Sequence, residues 1–369
     1  MSWSKYIYVF LLSLSLMSFL VFMHRQTKDG HQRYVSPKTQ SSNPEIGPQL
    51  NSEEHGRCEG KIHTSPMPLK LKIRQDARKK LVHDMCSNND MVNTLDIGRK
   101  WQTFDQIPQS ELNNLLVDDR HGIIYCYVPK VGCTAWKRIM IVLSESLKVD
   151  GVPYRDPADI PYEQVHGSSV QHLNAYPKAV MKQKLETYKK FMFVRDPFVR
   201  LISAYRDKMQ TTNNTYYKGI RLGIVKKFGN FSIPPASFEK AHADGIVPSF
   251  FHFIQYILSL AESSYTKFDE HWQQVIHLCH PCLIDYDFIG KMETIDEDAA
   301  QLLRILHVDN IVGLRPLNST KTEQSWTKTW FANIPMEWRR TLYKVYEADF
   351  RLFGYKYDDL DDFVPENVI

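Results

Sequence analysis

The longest apolar stretch of the chain lies almost at its start: "YIYVFLLSLSLMSFLVFM", 18 uncharged residues from Tyr6 to Met23. As a helix it is near the lower limit for crossing the ~30 Å hydrocarbon core of a bilayer. No small-x-small cleavage site follows, because the run ends in Phe22-Met23-His24-Arg25, so the pattern predicts an uncleaved anchor. Periodicity is then lost over residues 26 to about 70, where Ser, Pro, Asn, Gln and Lys dominate ("SPKTQSSNPEIGPQLNSEEHG"), the signature of a flexible stem. Residues 70 to 90, "KLKIRQDARKKLVHDMCSNND", predict a basic helix stopped by its Asn-rich end and presenting a solvated face. Globular patterning is expected from near Trp101 to about Asp358.

Two strand–loop–helix units stand out within that region. "GIIYCYV" (122–128) is followed by Pro129 to Cys133, and then by Trp136, Ile139, Met140, Leu143 and Leu147 at helical spacing, with Thr134 expected as the N-cap. "KKFMFV" (189–194) is followed by Arg195-Asp196-Pro197, where Asp at the N-cap and Pro at the first helical position form a paired start signal. The second helix carries Phe198, Leu201, Ile202 and Tyr205 inward. A further strand is expected within "CLIDYDFIG" (282–290). Short apolar strands alternating with helices predict a parallel α/β sheet, whose ligands sit at the carboxyl ends of the strands. Both loops lie at such ends.

Composition changes this picture little. A net charge of +4 with 14 histidines is mildly basic, suits an acidic ligand, and is too small and too dispersed to indicate nucleic acid. Of the six cysteines, Cys279 and Cys282 form one Cys-x-x-Cys with no second pair at zinc spacing, which predicts a structural disulfide of undetermined connectivity and no metal site. Cys126 and Cys133 are expected to be buried thiols. Arg25, Lys28 and Arg33 follow the apolar run while Lys5 alone precedes it, so charge count does not favour a luminal carboxyl side. Sequons at Asn213, Asn230 and Asn318 argue the other way.

The candidate chemistry lies in "YCYVPKVGCTAWKR" (125–138). Helix-start amides from Gly132 to Ala135 suit an anion, Gly132 permits close approach, Lys130 adds a mobile cation, and the Thr134 hydroxyl adds a donor. Alone, this loop is a moderate signal and also fits a tight turn with a surface lysine. Arg195, whose planar fork suits phosphate, and Ser203, two turns along, make a second anion site beside it. A ligand anionic at both ends follows. A kinase would need Mg²⁺-binding carboxylates and a Gly-rich loop, and neither is where it is expected. A non-catalytic glycan-binding protein is a further alternative, against which the intact Lys130, Arg195 and Ser203 argue.

"PKVGCTAW", followed by "RDPFVRLISAYRDK" and then "HWQQVIHLCHPCLIDYDFIGKMET" (271–294), resembles in order the blocks of the Golgi carbohydrate sulfotransferases, over roughly residues 95 to 358. The similar branch contains chondroitin and dermatan 4-O-, GalNAc-4-O- and glucuronyl 3-O-sulfotransferases. "CLIDYDFIGKMET" is nearest the GalNAc-4-O members, and "DFRLFGY" resembles the glucuronyl 3-O ones. The resemblance implies a P-loop-like sulfotransferase fold with a central parallel sheet flanked by helices, preceded by one transmembrane helix and a stem. The divisions are a cytoplasmic tail (1–5), a signal anchor (6–23), a luminal stem (24–95) and a catalytic domain (96–369). It implies a type II Golgi membrane protein, PAPS (3′-phosphoadenosine 5′-phosphosulfate) as donor without a metal, and a glycan acceptor.

Carried over residue by residue, Pro129, Lys130, Val131, Gly132, Cys133, Thr134 and Ala135 would bind the 5′ phosphosulfate, with Lys130 on the bridging oxygen. Arg195, Asp196, Pro197, Phe198, Val199, Arg200, Leu201, Ile202 and Ser203 would bind the 3′ phosphate, chiefly through Arg195 and Ser203. A sugar hydroxyl needs a general base to attack. "IPYEQVHGSS" puts the family's histidine at His166, with His172, His271 and Glu293 as alternatives. Phe250, Phe251, His252, Phe253 and Tyr256 fit a helical core at their spacing, or a sugar-stacking platform. Arg206 and Lys208 fit a solvated face or an acidic glycan.

Overall fold

The computed structural model describes residues 68–88, 95, 101–167, 170–210, 215–263, 268–314 and 326–357. All of them fall in one compact unit, Ser65–Ile369. The expected anchor at 6–23 and the sequons at Asn213 and Asn318 lie outside the described residues. No helix among the described residues is long and apolar enough to cross a membrane.

In chain order the elements are α1 (Leu69–Ser87), β1 (Leu115–Asp118), β2 (Ile123–Cys126), α2 (Cys133–Ser144), a small hairpin β3 (Lys148–Val149) and β4 (Val152–Pro153), and α3 (Tyr162–Val165). There follow β5 (Gln171–His172), α4 (Lys178–Thr187), β6 (Lys189–Val194), α5 (Pro197–Tyr205), α6 (Lys218–Phe228), α7 (Phe238–Ala243) and α8 (Phe250–Ala261). The last are α9 (Val275–Cys279), β7 (Phe288–Lys291), α10 (Ile295–Ile305), α11 (Trp326–Phe331) and α12 (Met336–Leu352).

The main sheet has the order β5-β1-β2-β6-β7. Its β2-β6-β7 part is parallel, as expected, whereas β1 pairs antiparallel with both β2 and β5. The central strands are buried on both faces, which suits parallel strands covered by helices. Tyr125 stacks on Phe191 with ring centroids 4.8 Å apart, and Trp136 of α2 stacks on Phe193 at 4.9 Å. Only a glycine fits at 290 on β7, since a Cβ there would stand 2.2 Å from the Phe193 ring. The third strand covers Phe288–Lys291, so it includes only the end of "CLIDYDFIG". A second core is helical, and Phe250 and Phe253 of α8 are buried in it with Phe198, Ile202 and Tyr205. This agrees with the core reading of the Phe250 run.

α1 departs from the solvated face expected of it. It covers the outer edge of β7: the Ile289 N–H donates to Gln75 Oε1 at 3.2 Å, and Arg78 Nη1 donates to the Ile289 carbonyl at 2.9 Å. Arg74 and Arg78 both pair with Asp298 of α10, at 2.9 and 2.7 Å, and Cys86 is disulfide-bonded to Cys282. An unpaired edge strand is thereby capped. Cys126, expected as a thiol, is bonded to Cys279, so each cysteine of the Cys-x-x-Cys reaches a distant partner. Cys133 is a free cysteine.

Candidate active site

β2 and β6 are adjacent and parallel, so the loops that leave their carboxyl ends lie side by side. In the first loop Lys130 (φ 72°) and Gly132 (φ 69°) both adopt the left-handed conformation. Gly132 is the N-cap of α2 and supplies no capping side chain, so the expected cap at Thr134 moves two residues back and Thr134 sits inside the helix. Alternating backbone twist ahead of a helix start turns N–H groups toward one point, a concavity suited to an anion. Val131 is fully buried and anchors the turn.

The Lys130 ammonium donates to Asp207 Oδ2 at 2.9 Å, and Lys208 pairs with the same oxygen at 3.2 Å. Asp207 stands on a single π-turn, Arg206–Gln210, that continues α5. Burial raises its pKa, but the Lys130 and Lys208 charges outweigh that and hold the carboxyl below its usual range. Lys208 is buried, and the Arg206 guanidinium lies 4.7 Å from the centre of the Trp326 ring, so neither forms a simple solvated face.

In the second loop Asp196 caps α5 through the N–H groups of Phe198 and Val199, with Pro197 in the first turn, as the sequence indicates. Arg195 is buried, and its Nη1 donates to the Lys130 carbonyl at 3.2 Å, joining the two loops. Burial lowers its pKa, and the carboxylates of Glu293 and Asp196 act against this. Ser203 is half-buried on the same helix. Pro197, Phe198, Val199, Leu201 and Ile202 are buried, so among the expected donor-binding positions of α5 they supply backbone and core packing. Arg200, 2% exposed, is committed to three backbone carbonyls: Pro129 at 3.0 Å, Gln273 at 2.6 Å and Glu270 at 2.9 Å.

The four candidate bases separate. Glu293 accepts from the Asp196 N–H and the Tyr355 hydroxyl, both at 3.0 Å, so it supports the Arg195 loop. His271 Nδ1 lies 2.8 Å from Asp269 Oδ1 and 2.9 Å from the Tyr217 hydroxyl, an oriented imidazole. His166 follows α3, with Nε2 3.5 Å from the Thr134 hydroxyl of the first loop. His172 on β5 donates from Nδ1 to the Asn113 carbonyl at 2.6 Å. His166 and His172 line one cavity of about 300 Å³ with Asn113, Tyr127, Lys137 and Glu270. Partial burial, then Lys137, Lys208 and His271, push His166 down to about 4, so its ring is neutral at ordinary pH.

Sequence reasoning passed over Asp207, Lys137, Tyr127 and Glu270. Lys137 is three residues beyond Thr134, hence on the same helical face, which is a usable signal. Nothing local marks Asp207 or Glu270. Asn230, the one sequon asparagine described, is exposed. No group of three or more His, Cys, Asp or Glu is arranged to hold a metal ion among the described residues.

Two cationic loops joined at the ends of adjacent parallel strands lie beside a polar cavity bearing histidines, an α/β arrangement suited to anionic ligands. Comparison with known proteins resolves the class. Residues 113–356 match the model described as "Sulfotransferase family". The chain is 51% identical over 304 residues to carbohydrate sulfotransferase 12 of Mus musculus, covering 80% of this chain and 70% of that protein. It is 36% identical over 297 residues to carbohydrate sulfotransferase 11 of Rattus norvegicus, covering 79% of each. It is 31% identical over 288 residues to carbohydrate sulfotransferase 8 of Mus musculus, covering 76% and 63% respectively. No solved structure gives a significant match. The chain belongs to the sulfotransferase family, among the carbohydrate sulfotransferases, and is an enzyme of sulfuryl transfer.

Proposed function

We propose that the enzyme takes its sulfuryl group from PAPS and delivers it to O4 of N-acetylgalactosamine, in chondroitin or dermatan chains or in glycans that end in that sugar. The observation that carries this reading is the 3.2 Å hydrogen bond from Arg195 to the Lys130 carbonyl, which couples two cationic loops into one site. The donor fits these residues. Left-handed Lys130 and Gly132 ahead of α2 suit the 5′ end, and buried Arg195 with half-buried Ser203 suits the 3′ phosphate. The O4 assignment rests on the block 282–294. An anchor at 6–23, sequons at Asn213, Asn230 and Asn318, and a Golgi setting with a luminal domain belong to the same reading. The catalytic unit includes Leu69–Ser87, since that helix is bonded and ion-paired to it.

PAPS supplies the sulfuryl group and departs as PAP, with negative charge growing on its phosphate. The Lys130 ammonium, held at the loop mouth by Asp207, meets that charge. His166, neutral and 3.5 Å from Thr134, accepts the proton of the attacking sugar hydroxyl. The chain's part is thus to hold both ends of the donor, to counter charge at one atom and to remove one proton.

Replacing Arg195 by Ala weakens PAP binding roughly 10- to 100-fold, the worth of a charge-assisted contact. Titration calorimetry with PAP checks it, and unaltered affinity breaks the two-loop site. The pH profile carries a second prediction. With His166 at about 4 in the free enzyme, kcat/KM holds as pH falls from neutrality and drops only as pH passes that value. Negative charge from bound donor raises the imidazole, so the acid limb of kcat lies at higher pH than that of kcat/KM. His166→Ala lowers kcat about 10²–10⁴-fold and removes both limbs. Limbs that survive the substitution assign the proton to another group, with His172 the next to test.

A further inference from the structure

On the acceptor side of this proposed reaction, we infer that Lys137 is the residue that selects an acidic glycan, by binding the carboxylate of a uronate next to the sugar that is sulfated. The inference rests on the reading above.

Lys137 lies one turn into α2, and its ammonium sits 3.6 Å from the centre of the Tyr127 ring. Tyr127 in turn donates to Glu270 Oε2 at 3.3 Å. The lysine is half-buried, and among the described residues no ion pair holds it, Glu270 attracting it only from a longer distance. An aromatic face stabilises a cation but does not neutralise it. A half-buried ammonium held this way awaits an anion. Burial lowers its pKa, against weaker attraction from Cys133 and Glu270, which agrees with a missing counter-ion.

The cavity it faces explains which anion. None of its lining residues belongs to the donor positions 129–135 or 195–203, while His166 lines it and also reaches Thr134. The compartment therefore adjoins the first of the proposed donor loops at the histidine. Its apolar lining is Leu116, Val165 and Val170, and its polar side chains are Asn113, Tyr127, Lys137, His166, His172 and Glu270. At about 300 Å³ it is at the small end of ligand pockets, a size for a sugar ring. Glu270 and His172 suit sugar hydroxyls. Glu270 is the cavity's one acidic side chain and is engaged by the Tyr127 hydroxyl, which leaves Lys137 as the cation to meet the single carboxylate of an unsulfated uronate.

The test compares desulfated chondroitin with the same chain after its carboxyl groups are reduced to alcohols. Wild-type enzyme is expected to favour the native chain in kcat/KM by roughly 10- to 100-fold. In Lys137→Met that ratio falls toward unity, and in Lys137→Arg, which keeps the charge, most of it returns. PAP affinity of Lys137→Met, read by calorimetry, stays at the wild-type value and shows that the domain is folded. Loss of both acceptors in parallel, or weakened PAP binding, puts Lys137 on the donor and overturns the inference. A wild-type enzyme that labels neither chain while labelling a neutral GalNAc-terminated oligosaccharide also overturns it, yet leaves sulfuryl transfer intact. A wild-type enzyme that labels no acceptor overturns both readings.

Discussion

Lys130→Ala lowers kcat roughly 10²–10³-fold while the KM for acceptor moves little. The reasoning is electrostatic. Charge develops on the departing phosphate only as the sulfuryl bond breaks, so a cation aimed there lowers the barrier more than it tightens the ground state. The placement of Lys130 fits that proposed duty. Its left-handed backbone puts the residue at the mouth of the loop, and Asp207 fixes the ammonium at 2.9 Å. Removing it leaves Asp207 paired with Lys208 alone, and no other cation of the first loop takes its place. Steady-state kinetics with saturating donor measures the effect. An unchanged kcat takes Lys130 out of the transition state.

Arg200→Ala costs about 3–5 kcal/mol of stability, the range for stripping a buried ionic group from its partners. The guanidinium is 2% exposed and donates to the carbonyls of Pro129, Gln273 and Glu270. Truncation leaves those carbonyls buried without their donor and opens a cavity between α5 and both segments. Pro129 immediately precedes Lys130, so the donor loop loosens as well. Urea denaturation reads the loss directly, and Arg200→Lys recovers only part of it because an ammonium cannot reproduce the planar fork. A change below about 1 kcal/mol would mean that Arg200 serves the ligand and not the loop.

The parts legible in the sequence are those in which local chemistry and tertiary structure agree. "KKFMFV" is β6 from end to end, and Asp196-Pro197 starts α5 where capping chemistry puts it. Elsewhere a local signal was outvoted. Thr134 is a good N-cap residue, but left-handed Gly132 begins the helix earlier, and a positive φ leaves no trace in hydrophobic pattern. α1 reads as solvated because its arginines look unpartnered until Asp298, more than two hundred residues away, is folded against them. Cys126 resembled a core thiol for the same reason, its partner Cys279 being 153 residues on. β1 and β5 are four and two residues long, too short to carry a period, so the antiparallel edge was invisible. The two candidate donor loops are contiguous segments and could be read directly. The proposed acceptor cavity is assembled from Asn113, Tyr127, Lys137, His166, His172 and Glu270, and only the fold brings those together.

The most direct test of the central claim is transfer itself. Residues 60 to 369 are secreted and supplied with radiolabelled PAPS and no added metal. Four acceptors are offered: chondroitin, desulfated dermatan, a GalNAc-terminated oligosaccharide and a glucuronate-terminated one. The account predicts label on O4 of N-acetylgalactosamine. Label on glucuronate O3, or no transfer to any of the four, contradicts it.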